Sequence, residues 1–280
     1  MTGRLDGAPF GLSLLAAGIL FAPSALKGVT PSLLDVGEEV PTSFEDVYLE
    51  QYAPVVLAGV SYFFNDDGIH GRELWRSDGT SEGTRLVVDL CPGSCGAVWL
   101  QTFPGLAVAG GRVVFAGNDG VHGVELWGSD GTPEGTSLLG DLLPGLASSV
   151  PGNFTTVNER AFFWLTHDPY SRELWVADGT SEGTELVAPV DFLPHGYPTC
   201  STALGELLIF GSDSGGLWRS DGTQEGTFSL SPVAVWQQGW MNNAPFARLG
   251  GRVVFWGRAP EASGATLWAT DGTPEGTEEI

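Results

Sequence analysis

Asp78, Asp130, Asp178, Asp221 and Asp271 each open a run of the form DGTxEGT. The same runs carry Glu82, Glu134, Glu182, Glu225 and Glu275. Two kinds of chemistry suit an aspartate and a glutamate so close together in a Gly-rich loop. Carboxylates joined by loop carbonyls are ligands for a hard cation such as calcium. Alternatively, the aspartate accepts backbone N–H groups two or three residues on and closes an Asx-turn. The two glycines of each run then permit positive φ. Turn chemistry explains the aspartate without an ion, so we expect turns, with calcium as the alternative and no other cofactor. General acid–base catalysis needs one asymmetric set of groups with differing pKa values. Five equivalent aspartates do not supply one, and no catalytic residue is assigned.

Other polar residues differ from repeat to repeat. NDDGIH carries Asp66, Asp67 and His70, and NDGVH carries Asn118, Asp119 and His122. A third segment holds His167, Asp168 and Tyr170. The run VAVWQQGWMNN (233–243) sets Trp236 and Trp240 among Gln237, Gln238, Asn242 and Asn243. Aromatic rings beside amides suit a sugar or a peptide. The competing reading is that both tryptophans plug gaps in the core. His70 and His122 occupy the same repeat position, which points to a shared structural hydrogen bond rather than to zinc. An exported chain can close Cys91–Cys95 across CPGSC, leaving Cys200 over.

These residues need a frame, and the sequence repeats it. Trp75, Trp127, Trp175, Trp218 and Trp268 stand 52, 48, 43 and 50 residues apart. A period of 40–50 with strand-type content marks a propeller blade. The second unit parses into four strands: LAVAG (106–110), GRVVFAG (111–117), VELWGS (124–129) and SLLGDL (137–142). The second strands SYFF, AFFWL, ELLIF and RVVFW are unbroken apolar runs, so both of their faces should be buried. The expected fold is all-β, a β-propeller with five four-stranded blades near 53–90, 98–142, 153–191, 199–231 and 245–280. It is either a closed five-bladed ring or a piece of a longer array. Residues 31–36 (PSLLDV) read like a fourth strand that completes the last blade. The DGTxEGT turns share one face with the turns between first and second strands. The variable loops share the other face, where a ligand is expected.

The units ELWRSDGT, ELWGSDGT and ELWVADGT, with the turns DDGIHG and NDGVHG before the first two, resemble the ELWxxDGT repeat family of bacterial secreted proteins. The runs DLCPG (89–93), DLLPG (141–145) and SSVPGNFTTVNERAFF (148–163) add to the likeness, which covers roughly 30–280. The resemblance implies a propeller-like repeat domain on an exported protein, and no enzyme chemistry to carry over. The fourth unit departs from it, because GSDSGGLW is shortened and lacks the leading Glu. The DGT turn also resembles the Asp-box of sialidase-type propellers.

Composition narrows the function classes. Of 280 residues 41 are Gly and 18 are Pro, as many short strands and turns require. The net charge of −22, with Lys27 the only lysine, repels polyphosphate and sets nucleic acid aside. Residues 10–21 form an apolar run too short to span a membrane, preceded by Arg4 and followed by Ala22-Pro23-Ser24. This layout predicts a signal peptide over 1–24 and a secreted or cell-surface protein. The expected function is a non-catalytic scaffold that binds protein or glycan. The alternatives are a propeller enzyme acting on polysaccharide and a calcium-stabilised adhesin.

Overall fold

The computed structural model describes residues 54–93, 105–144, 147–168, 171–189, 198–212, 216–236 and 246–280. The expected signal peptide, residues 31–36, Cys95, Tyr170, Gln237, Gln238, Trp240, Asn242 and Asn243 lie outside them. The described residues form five antiparallel sheets and no helix. Blade one holds β1 (Val55–Leu57), β2 (Val60–Asp66), β3 (Arg72–Ser77) and β4 (Arg85–Val88). Blade two holds β5 (Leu106–Ala109), β6 (Arg112–Asn118), β7 (Val124–Ser129) and β8 (Thr136–Gly140). Blade three holds β9 (Gly152–Val157), β10 (Arg160–Asp168), β11 (Ser171–Ala177) and β12 (Thr184–Ala188). Blade four holds β13 (Pro198–Leu204), β14 (Leu207–Ser212), β15 (Leu217–Ser220) and β16 (Phe228–Ser231).

Blade five departs from the expected boundary. Its first strand is split into β17 (Ala234–Val235) and β18 (Phe246–Leu249), and both pair with β19 (Arg252–Arg258). The blade therefore starts at 234, not near 245. It continues through β20 (Thr266–Thr270) and β21 (Glu278–Glu279). Val235 faces Gly257 and Phe246 faces Phe255, so on β19 only Trp256 separates the partners of the two pieces. A strand of two residues carries no readable periodicity, which is why 233–243 looks like a plain linker in the sequence.

Each sheet is a meander in chain order, and the first strands of successive blades pack side by side. That is the radial arrangement of a β-propeller. Thr155 and Ser201 link the first strands of blades three and four through their hydroxyls at 2.6 Å. The Val108 N–H donates to the Thr156 hydroxyl between blades two and three at 2.9 Å.

Four apolar layers join the five blades. Tyr62, Leu74 and Val87 of blade one meet Val113, Phe115 and Trp127 of blade two. Val114, Leu126 and Leu139 then meet Ala161 and Phe163. Phe162, Trp164 and Leu174 meet Leu208 and Phe210. Ile209, Leu217 and Leu230 meet Val253 and Phe255. Each blade thus has a leading face toward the next blade and a trailing face toward the one before. Alternation along the second strand sends one apolar residue to each face, which explains the unbroken apolar runs. A fully buried Phe such as Phe115 or Phe163 contributes roughly 2–3 kcal/mol. Burial of both faces holds for the inner blades only. β2 and β19 are partly exposed, because one face of each end blade meets no neighbour among the described residues.

Arginines tie the same junctions at their polar rim. Arg76 donates to the Gly131 carbonyl at 3.2 Å and Arg112 to the Gly179 carbonyl at 3.0 Å. Arg160 donates to the Asp221 carbonyl at 2.8 Å and Arg219 to the Gly272 carbonyl at 3.0 Å. In every junction the acceptor belongs to the DGT turn of the following blade.

Candidate functional site

The five DGT turns share one construction. The Thr N–H donates to the Asp Oδ1 at 2.8–2.9 Å, and the Thr hydroxyl donates to the same oxygen at 2.7 Å. The second Gly N–H donates back to that Thr hydroxyl at 2.9–3.0 Å. The last Thr of the run donates its hydroxyl to the carbonyl of the first. These bonds hold the carboxylates of Asp78, Asp130, Asp178 and Asp271 below their ordinary pKa, the Thr hydroxyl being the main cause. Asp221 is also lowered; burial opposes the shift, and the bonds from Thr223 outweigh it.

The two glycines have different reasons. Gly79 and its counterparts have φ of 88–93°, which a side chain would strain. Gly83, Gly135, Gly183, Gly226 and Gly276 do not have positive φ, contrary to expectation. A Cβ on any of them would overlap the Asp carboxylate of its own turn. The carboxylate lies against a bare Cα, and only glycine leaves it room. Among the described residues no group of three or more His, Cys, Asp or Glu side chains is gathered for a metal ion.

The ELW motif positions a second acid that the turn chemistry does not explain. Glu73 and Glu125 are fully buried. Glu73 accepts the N–H groups of Leu90 and Cys91 at 3.2 and 3.4 Å. Glu125 accepts the N–H of Leu142, the N–H of Ser149 and the Ser149 hydroxyl at 2.8, 2.8 and 2.6 Å. Burial pushes the Glu125 carboxyl above its ordinary pKa, against those hydrogen bonds. The motif glutamate anchors the segment that leaves the fourth strand. Its recurrence at 73, 125 and 173 was the available signal, overshadowed by the neighbouring Trp. Cys91, buried beside Glu73, is disulfide-bonded.

The motif tryptophans are less buried than their size suggested. Only Trp127 is buried, and Trp75, Trp175, Trp218 and Trp268 are half-buried. Each belongs to a trailing face. Trp75 has no preceding blade to cover it among the described residues. Trp175 and Trp268 keep their indole N–H on a residue two positions earlier, Glu173 and Thr266.

On the opposite face, the candidate ligand residues of blades one and two are tied into their own loops. Asp66 accepts the Gly68 N–H, and Asp67 accepts those of Ile69 and His70. Asn118 accepts the Gly120 N–H, and Asp119 accepts those of Val121 and His122. His70 Nδ1 lies 2.7 Å from Asp67 Oδ2, and His122 Nδ1 lies 2.7 Å from Asp119 Oδ2. The shared structural hydrogen bond is therefore present in both loops. It raises the pKa of each histidine. Backbone N–H bonds from His70 come first among the causes that lower Asp67 to about 2.

Trp236 is 38% exposed, and its N–H donates to the Trp256 carbonyl at 2.7 Å. The Arg258 guanidinium sits 5.3 Å from the centre of its ring. This tryptophan is not a core plug. It stands at the end of the first piece of the split strand, directly after β17. Trp256, its half-exposed neighbour on β19, was missed because RVVFW reads as a buried run.

No protein-family model matches the chain, and no curated protein matches it. Solved structures do. A puromycin-hydrolyzing peptidase of Mycobacterium tuberculosis aligns with a TM-score of 0.50 and 17% identity, covering 78% of this chain and 35% of that one. TolB from Acinetobacter baumannii aligns at 0.42 and 13%, covering 76% and 50%. BamB from Moraxella catarrhalis aligns at 0.40 and 15%, covering 79% and 57%. The chain spans between a third and three fifths of these proteins, and at such identities the likeness concerns the fold alone: this chain is built as a β-propeller array.

Proposed function

We propose that the protein is a secreted, non-catalytic repeat propeller that acts as a binding scaffold for protein or glycan. The observation that supports this reading is the identical use of the five DGT aspartates. Each accepts its own Thr and packs on its own Gly, so the repeated acids serve the frame. The acids that differ among repeats also favour it. Asp67, lowered to about 2, is unsuited to donating a proton near neutral pH. Recognition then falls to the unequal loops of the other face, with Trp236 at the rim of 237–245 as its aromatic anchor. A panel of glycans and cell-envelope proteins tests this. Binding to one class, weakened at least about tenfold by Trp236→Ala, is the expected result. Turnover of a polysaccharide, lost on Asp66→Asn, would replace the scaffold by an enzyme. A melting temperature that falls steeply with chelator would favour the calcium-stabilised form.

A further inference from the structure

We propose that residues 147–151, the last part of the linker into blade three, form a pH-operated latch on the face opposite the DGT turns, closed onto β7 in mild acid and released as the pH rises past neutral. Hydrogen bonds to the first two residues of β7 hold it closed. The Ser148 hydroxyl accepts the Val124 N–H at 2.9 Å. The Ser149 N–H and hydroxyl donate to the two Glu125 oxygens at 2.8 and 2.6 Å. The Val150 N–H donates to the Val124 carbonyl at 3.1 Å. The turn that precedes β7 fits against the same segment. Gly123 has φ of 77°, and a Cβ there would lie 2.7 Å from the Ala147 carbonyl oxygen and 2.8 Å from the Ser148 hydroxyl. The turn that carries Asp119 and His122 therefore touches the latch.

The backbone works against closing. Val150 has φ of 50°, in the left-handed region that a β-branched residue avoids. Pro151 follows it, and a residue before proline prefers an extended conformation. A segment kept in such a conformation by its hydrogen bonds lets go when they weaken. The charged groups around it are few. Residues 147–151 carry none. β7 brings Glu125, the turn before it brings Asp119 and His122, and Asp141 follows β8. β6 carries Arg112 at its far end, tied to the DGT turns. Blade one reaches the turn through Cys91, whose Sγ would lie 3.4 Å from a Cβ on Gly120. That cysteine is disulfide-bonded and does not titrate.

Two of these groups titrate in the same direction. Burial pushes the Glu125 carboxyl above its ordinary 4.5; the Asp141 charge adds to this, against the bonds from Ser149 and Leu142. The bond to Asp119 raises His122 above its ordinary 6.5, and Asp141 and Glu125 add to it. Opening returns both groups to water. A group whose pKa is raised by closing supports the closed form fully below its open-state value. That support is withdrawn as the pH rises through the closed-state value. Ionised Glu125 and neutral His122 thus both favour release, the first from above 4.5 and the second from above 6.5. Asp119 acts the other way. Burial raises its pKa, but the N–H and ring bonds of His122 and the Val121 N–H outweigh that and lower it. Its support fails only in stronger acid.

The latch does not rest on the scaffold reading, and its test needs no ligand. Hydrogen exchange of the full chain is measured at about pH 5.5 and about pH 8.5, corrected for the intrinsic pH dependence of exchange. Protection of the Ser149 and Val150 amides should fall at least about threefold at the higher pH. Protection of Val113–Phe115 on β6 should stay constant. Glu125→Gln keeps the shape and an acceptor but cannot ionise, and His122→Gln removes the ring that bonds Asp119. Each should flatten the change, and the double variant should abolish it. Constant protection of Ser149 and Val150 in wild type overturns the proposal without reference to any variant. A fall of equal size on β6 also overturns it, because the whole blade would then loosen. So does a pH dependence that survives in the double variant.

Discussion

At the scale of single residues, the DGT turn is an Asp–Gly pair as much as an Asx-turn. Asp130 spends Oδ1 on Thr132, and Gly135 leaves the carboxylate room. Asp130→Ala should cost about 1–2 kcal/mol through the lost hydrogen bonds. Gly135→Ala should cost roughly 1–3 kcal/mol through overlap with the carboxylate. The double variant should be less destabilised than the sum by about 1 kcal/mol, since removing the carboxylate removes the overlap. Urea unfolding of the four proteins measures this, and strict additivity would refute the pairing. The depressed aspartates also fix an acid limit. A folded pKa below the unfolded value near 3.9 gives stability that is fully present above that value. It is lost as pH falls through the folded values, so the melting temperature should drop below about pH 4 more steeply in wild type than in Asp130→Asn. The role of the aspartate was legible in the sequence because it rests on contacts two residues away. The reason for the second glycine was not, because it lies in the close approach of the carboxylate five residues earlier rather than in φ.

At the scale of elements, the strands were legible and their anchoring was not. Apolar runs between DGT turns defined the blades, most plainly in the second unit, while the split first strand of blade five left no such run. The glutamate of ELW recurs visibly, but its anchoring role was not readable because its partners lie 17 and 24 residues downstream. Glu125→Ala would leave the Leu142 and Ser149 N–H groups unpaired, the latter in a buried residue. A loss of about 2–4 kcal/mol is expected, with faster amide exchange at both positions. Glu125→Gln keeps an acceptor and should lose less. Equal losses in the two variants would show that shape, not hydrogen bonding, is what Glu125 provides.

At the scale of the whole molecule, the blade count was legible from the period, but the state of the ends was not. A repeat states how one blade meets the next and is silent on whether the last meets the first. Stability in such an array sums blade and junction contributions. Blades two, three and four have two junctions each, and blades one and five have one among the described residues. Amide exchange under native conditions should therefore slow from β2 to β6 and β10, and quicken again at β19. Uniform protection across all five second strands would mean that the end faces are covered in solution.

The split first strand of blade five has an evolutionary corollary. β17 and β18 keep an unbroken partner in β19, and only Trp256 separates the residues they pair with. Inserted chain there leaves the pairing on both sides intact, as lengthening a hairpin tip would. The break between β17 and β18 is therefore a cloning site of natural origin.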